Sequence, residues 1–271
     1  VHPVSDASSF GRVDAQSDPD YFIRFVDQAN ELPAVIQVED VALAELRLRP
    51  GDRALDLGCG TGHDTRRLAE VVGRSGTVVG IDASEAMITV AQQRAEGSGL
   101  PVTFHVGDAM QLDLPTDSFD GVRCERLLLH VPDPAVVLDE MVRVTRPGGR
   151  IVVVDIDMDL LALDLPDVDR HFLRRAVHAM ADAMATGQIG RQLPRRFREA
   201  KLGNVTYRAA VLAFPYDFVS HVVAGMLLGA VSAGSLTAAE SDTLVAAMER
   251  AERDGGLYAG LPFFIVSATK P

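Results

Sequence analysis

The chain has 271 residues, 47% of them hydrophobic and 24% charged, enough apolar material for one large α/β domain or two small ones with a buried core. Its formal net charge of −12 excludes a broad nucleic-acid surface, because phosphate affinity comes from clustered Lys and Arg that release counterions. Cys59 and Cys124 are too few for a disulfide framework or a repeated thiolate zinc site, and they predict a reducing, cytoplasmic setting.

The opening stretch "VHPVSDASSFGRVDAQSDP" lacks the basic start and apolar core of a signal peptide, so residues 1–20 read as a flexible leader. From Tyr21 to Leu48, apolar positions at helical spacing (Val35, Val38, Val41, Ala42, Leu46) predict one or two helices, an N-terminal cap over 21–50. Strand and helix signals then alternate: "RALDL", a helix after Gly62, "TVVGID", a helix opening at Ser84, "VTFHVG", "FDGVRC", a helix from Pro134 to Thr145, and "RIVVVDID". Short β-branched runs alternating with helices imply right-handed crossovers and a parallel sheet. The rhythm changes after Asp157. Over 158–271 the pattern predicts helices in "HFLRRAVHAMADAMATG", "RQLPRRFREA", Phe218–Gly234 and Ala238–Asp254, with strands in "NVTYRAAVLAF" and "PFFIVSATK". The Phe218–Gly234 run is interrupted by His221 and several glycines and falls short of the ~20 residues of a membrane span, so no membrane span is expected.

The stretch "RALDLGCGTGHDTRRLAE" carries the chemistry. A phosphate-binding loop needs a Gly-Lys-Ser/Thr ending, and the first lysine of the chain is Lys201. A nicotinamide dinucleotide fingerprint needs a third glycine where His63 stands. What remains is Asp56, Gly58, Gly60 and Gly62, an acid leading three alternating glycines.

This pattern resembles the nucleotide loop of class I S-adenosylmethionine-dependent methyltransferases, in the branch of ubiquinone/menaquinone-biosynthesis-type small-molecule enzymes. The resemblance continues in family order through "LRPGDRALDLGCGTG", "VVGIDASEAMI", "VGDAMQLDLPTDSFDGV", "LLLHVPDP" and "VTRPGGRIVVVD", and thins after Asp157. It implies a Rossmann-like, seven-stranded, mostly parallel sheet with an antiparallel last strand, helices on both faces, and capping helices at the N-terminus and in the C-terminal half. Residues 21–271 then form one domain whose 51–157 core binds the cofactor.

The resemblance also implies the site. S-adenosylmethionine carries no phosphate, so Gly58, Gly60 and Gly62 serve to let backbone approach its methionine and ribose. Asp82, ending the second strand, is expected to accept from both ribose hydroxyls, and Asp108 from the adenine amino group, with Ala109 and Met110 at the ring edge. Ala83 and Met87 flank the adenine face, although a Met at helical spacing also suits a core. Asp56 is expected to orient the loop, and Cys59 to pack. No metal constellation emerges: Asp155, Asp157 and Asp159 alternate on a strand that presents only one face to the cleft.

Transfer of a methyl group to a small, fairly hydrophobic acceptor, by O-, C- or N-methylation and natural-product or quinone-like, is the activity implied, with S-adenosylhomocysteine as product. Tyr21, Phe25, Glu125, His178 and Met226 are the candidate acceptor contacts. His130, ending "LLLH", either removes a proton from the acceptor or packs the Val131-Pro132 turn. The expected partner is this small molecule, without nucleic acid, on a monomer or homodimer. The motifs describe cofactor binding rather than chemistry, so a protein that retains the cofactor for a cyclisation, or senses it, fits them too.

Overall fold

The computed structural model describes residues 7–16 and 18–271. Residues 1–6 and 17 of the expected leader lie outside the described residues. Residues Ala7–Ala15, read from sequence as part of a flexible leader, form a 3-10 helix. Asp18 caps the next helix by accepting from the Tyr21 amide, and Pro19 opens it as α1 (Pro19–Asn30). A second proline starts α2 (Pro33–Leu46), which ends where Arg47 turns into the left-handed region.

The alternating core follows as β1 (Arg53–Leu57), α3 (His63–Val72), β2 (Thr77–Asp82), α4 (Glu85–Ala95), β3 (Val102–Val106), β4 (Phe119–Glu125), α5 (Pro134–Val144) and β5 (Thr145–Ile156). Ser84 caps α4 from its side chain, and Asp133 caps α5 ahead of Pro134. The Pro147-Gly148-Gly149 turn lies inside β5 as a break in its register with β4, between Phe119 and Gly121. Beyond come β6 (Ala162–Asp164), α6 (Arg170–Asp182), α7 (Ile189–Glu199), β7 (Gly203–Ala213), α8 (Tyr216–Ser232), α9 (Ala238–Arg253) and β8 (Tyr258–Thr269).

The strands order as β3-β2-β1-β4-β5-β8-β6, with β7 on the free side of β8. The first five run parallel; β8 is antiparallel to β5, β6 and β7. This is the Rossmann-like sheet expected, with the three-residue β6 as an eighth strand too short to leave a pattern. Helices cover both faces: on β8, Phe264 lies under Gly190 of α7, while Ser267, of opposite parity, donates from Oγ to Glu45 of α2. Leu55, Leu57, Val122, Ile151, Val152 and Val154 are fully buried between the layers. Strand order reverses between β1 and β4, so the crevice where open α/β sheets bind ligands falls at the carboxyl ends of those two strands.

Candidate active site

A cavity of about 660 Å³ fills that crevice. Its floor begins with the glycine loop. Gly58, Gly60 and Gly62 have φ of 67°, 52° and 73°, left-handed values that strain other residues. The amides of Gly58 and Cys59 donate to the Ile81 carbonyl, tying the loop to the end of β2. Gly58 and Gly60 line the cavity, but Gly62 does not: a Cβ there would stand 2.7 Å from the Phe104 ring and 3.0 Å from Ala91. Gly62 therefore lets α3 start hard against β3 and α4, and the expected cofactor approach at this third glycine is replaced by packing. Cys59 packs with Ile88, Ala91 and Phe104, and burial pushes its thiol well above the usual range.

Asp56 sits below the loop, buried, accepting from Thr65 Oγ1 at 2.7 Å, which fixes the loop to α3. Burial raises its carboxyl to about 6, against the opposing pull of Arg123. Asp82 accepts from the Gly60 amide at 2.8 Å and the Ser84 amide at 2.9 Å, and burial raises its carboxyl. Ala83 and Met87 continue the wall beside it, and Asp108, Ala109 and Met110 form the next stretch, with the Met110 amide donating to Asp108.

The leader helix completes this end, a feature the sequence reading missed. Asp14 accepts from Ser84 Oγ at 2.6 Å, the Glu85 amide at 2.7 Å and the Ala86 amide at 3.2 Å, a second cap on α4 supplied from 70 residues upstream. Val13 packs with Phe22 and Met87, and Phe10 projects toward the opposite end of the cavity.

Charge is concentrated under the middle. Arg123, 1% exposed, meets Asp64 at 2.8 Å, Glu125 at 2.5 Å and Asp56 at 3.7 Å. Three acids around one buried guanidinium hold it ionised, well above its usual pKa, although burial opposes that charge. Arg126 follows at φ 49°, donates to Asn30 Oδ1 at 3.0 Å, and stands 3.3 Å from Glu125.

The other end is aromatic. Phe10, Phe25, Phe214, Phe218 and Phe263 share it with Met158, Met184, Leu129, Leu261 and Val222. Ring centroids of Phe25 and Phe218, and of Phe214 and Phe218, lie 5.2 Å apart. His130 enters this chamber with its ring 5.2 Å from Phe10 and its Nδ1 without a hydrogen-bond partner. Burial first, and the Arg126 charge second, lower its pKa to about 4, so the ring is neutral at pH 7.

Of the acceptor contacts expected from sequence, Phe25 and Glu125 line the cavity and three others do not. Tyr21 sits one position off that face, edge-on to Phe22 with centroids 5.4 Å apart. Met226 is buried core at 1% exposure, because α8 reaches the cavity only with Phe218 and Val222. His178, 58% exposed, lies on the outer face of α6 in an ion pair with Asp159. The three strand-end carboxylates go to protein partners. Asp155 accepts from the Leu128 and Ile156 amides, while Asp157 and Asp159 both pair with Arg191 at 2.5 Å. Glu39, His63 and Asp64 offer ligand atoms within 4.8 Å of one another, but Arg67 pairs with both carboxylates and Arg123 also holds Asp64.

A doubly wound sheet with a glycine loop at its switch point and an acid ending the next strand defines a protein built to bind an adenosine-type cofactor. Residues 48–201 match the family model of a methyltransferase domain. A 37.1 kDa protein in transposon TN4556 of Streptomyces fradiae is 37% identical over 264 residues, covering 95% of this chain and 74% of that protein. Demethylmenaquinone methyltransferase of Geobacillus kaustophilus is 45% identical over 118 residues, 43% of this chain and 50% of the relative. The chain thus spans about half the length of that quinone methyltransferase. Phosphoethanolamine N-methyltransferase 2 of Haemonchus contortus, solved with S-adenosyl-L-methionine, shares the fold at a TM-score of 0.60 and 18% identity, over 97% of this chain and 60% of that one. The chain belongs to the methyltransferase-domain family. Among the described residues no helix is long and apolar enough to cross a membrane.

Proposed function

We propose that the cavity seats S-adenosylmethionine across the glycine loop and passes its methyl group to a small, fairly hydrophobic acceptor in the phenylalanine chamber. The observation that carries this reading is one continuous cavity, glycine-lined and acidic at one end and aromatic at the other. The cofactor fits the residues present: Gly58 and Gly60 leave bare backbone on the cavity wall, and Glu125 Oε1 and His130 Nδ1 are buried polar atoms without hydrogen bonds. When bound, the cofactor supplies an activated methyl sulfonium.

The chain's residues do the rest. Asp82 accepts from the ribose hydroxyls with the lone pairs that Gly60 and Ser84 leave free, and Asp108 accepts from the adenine amino group. Ala83 and Met87 pack against the adenine. The phenylalanines exclude water and hold the acceptor at near-attack distance, where most of the acceleration of such a displacement arises. His130, neutral, takes the proton from a hydroxyl or carbon acid. The names of the relatives favour a quinone-like acceptor, and the chamber's apolar walls support it. In this reading 21–271 is one domain, with 51–157 holding the cofactor and the flanking helices closing the chamber. Cys59 and Cys124, both free and buried, support a cytoplasmic setting.

Titration calorimetry tests the first half: S-adenosylmethionine binds, NAD does not, and Asp82→Ala weakens binding by at least tenfold, since charge-assisted hydrogen bonds contribute ~1.5–3 kcal/mol each. Incubation with quinones, phenols, amines and terpenoids tests the second half, by release of S-adenosylhomocysteine and a product one methyl heavier. Cofactor binding without that release from any acceptor would overturn methyl transfer in favour of a cofactor-retaining cyclase or sensor.

A further inference from the structure

A second cavity, of about 230 Å³, lies apart from the crevice, between β6 and α6. Helical spacing builds one of its walls: Arg170, Leu173, Arg174, Val177 and His178 recur at intervals of three and four and so share one face of α6. Leu161 and Leu163 form the opposite wall, where β6 is held to β8 by only three residue pairs. The apolar lining is therefore aliphatic, with basic side chains along its helical side. No residue is shared with the main cavity. The two cavities nonetheless meet at one turn. Met158, opening the 3-10 turn Met158–Leu160, lines the aromatic chamber, and Leu161, whose amide donates to the Met158 carbonyl at 3.2 Å, lines the second cavity.

Most charges around this cavity are engaged. His178 pairs with Asp159, Arg175 with Glu240, and Asp167 with Arg250 at 3.7 Å. Asp169, which the Arg170 charge reaches, caps α6 by accepting from the His171 amide at 3.0 Å and the Phe172 amide at 2.9 Å. Arg170 and Arg174 are left: among the described residues neither makes an ion pair or a side-chain hydrogen bond. Two guanidinium forks one helical turn apart, beside an aliphatic groove, match a ligand with an anionic head and an apolar tail. Size narrows the ligand further. Drug-sized molecules occupy pockets of ~300–1,000 Å³, so this one takes a short chain rather than a second nucleotide. The net charge of −12 repels an anionic bilayer, which favours a single amphiphile from solution over a headgroup in a membrane.

We propose that the groove between α6 and β6 binds a single-chain amphiphilic anion, a carboxylate or a monoalkyl phosphate, with its head on Arg170 and Arg174 and its tail along Leu161, Leu163, Leu173 and Val177. The site stands independently of the cofactor assignment. Its occupant leans on residues 158–161 from outside and so stiffens a wall of the aromatic chamber from behind.

Octyl phosphate, kept below its micelle-forming concentration, is the probe, with inorganic phosphate as the head alone and octyl glucoside as an uncharged amphiphile with the same tail. Titration calorimetry of the full chain should show octyl phosphate bound at least about tenfold more tightly than either. Arg174→Gln should weaken it by about fivefold or more, and Arg174→Lys by less. The double variant Arg170→Gln/Arg174→Gln should bring it down to the level of octyl glucoside. Both side chains are exposed, so these variants fold, which an unchanged Tm checks. Octyl phosphate should also slow hydrogen exchange in residues 158–178. Undiminished binding by the double variant, or protection confined to residues lining the main cavity, would overturn the proposal by placing the amphiphile elsewhere. Inorganic phosphate bound as tightly as octyl phosphate would reduce the site to a bare anion contact and overturn it too, as would no binding of octyl phosphate at all. Sedimentation with phosphatidylglycerol vesicles that the double variant loses would assign the groove to a membrane headgroup and overturn the single amphiphile.

Discussion

At the residue scale, the protein keeps His130 neutral, the state that the base role proposed for it requires. Its pKa of about 4 lies below the usual 6.5, so kcat/KM should stay flat down through pH 6.5 and fall only as pH approaches 4. A break near 6.5 in the wild type would show that the ring is not depressed. His130→Ala should lower kcat by ~10²-fold while cofactor affinity stays nearly constant, and a drop under about threefold would withdraw the catalytic role. The same depression has a stability consequence of known sign: between pH 6.5 and 4 the unfolded chain binds the proton and the folded chain does not, so this contribution is lost as pH falls through that window. The residues that sequence made legible are those whose roles are local. Asp82 and Asp108 follow strands, and Ser84 opens a helix two positions after Asp82. Arg123 was illegible because its value comes from Asp56 and Asp64, on β1 and α3, and from Glu125 beside it. His178 and Met226 misled for a related reason: helical spacing reports an apolar face but not whether that face meets a cavity, a core or another helix.

At the element scale, the segment around Asp14 acts as a strap. Its carboxylate satisfies the first amides of α4 while Val13 and Phe10 form two walls of the cavity, so cap and enclosure are one structure. Asp14→Ala should cost about 1 kcal/mol of stability and speed hydrogen exchange at the Glu85 and Ala86 amides, with Asp14→Asn restoring part of both. Exchange at those amides unchanged from wild type would mean that Ser84 alone caps the helix. Adding S-adenosylmethionine should protect residues 7–16, since Phe10, Gly11 and Val13 line the cavity in which the cofactor is proposed to sit. Sequence did not show this element, because a 3-10 helix of nine residues in a polar leader carries no apolar periodicity. The three residues of β6 were hidden too, and β8 begins four residues before the predicted Pro262, at Tyr258, because register with β6 and β7 extends it. The long alternating elements of the core were legible for the opposite reason: each carries its own apolar period and its own cap.

At the scale of the whole molecule, stability and pH are linked through Glu39. This buried acid on α2 faces Arg67 and Asp64 of α3 and the Arg123, Glu125 and Arg126 group at the end of β4. Burial first, then the charges of Asp64 and Glu125, raise its carboxyl from 4.5 to about 8, so it is protonated at pH 7. An acid with a raised folded pKa contributes stability that is complete below 4.5 and lost as pH rises through 8. Glu39→Gln should therefore match the wild type in Tm near pH 4.5 and exceed it increasingly up to pH 9, whereas a Tm difference independent of pH would show the carboxyl ionised throughout. The position of β8 has a different kind of consequence. This strand threads between β5 and β7, pairing Arg150 with Thr269, and its Leu261 and Phe263 face the acceptor chamber. Every strand it touches is made by the ribosome before it. The five parallel strands can find one another while β8 is still being synthesised, but the sheet has a gap until β8 inserts, and closing so long a loop is slow. On the function proposed above, the nascent chain thus gains the nucleoside end of its cavity before the aromatic end, and the exposed β5 edge is its aggregation-prone surface during that interval.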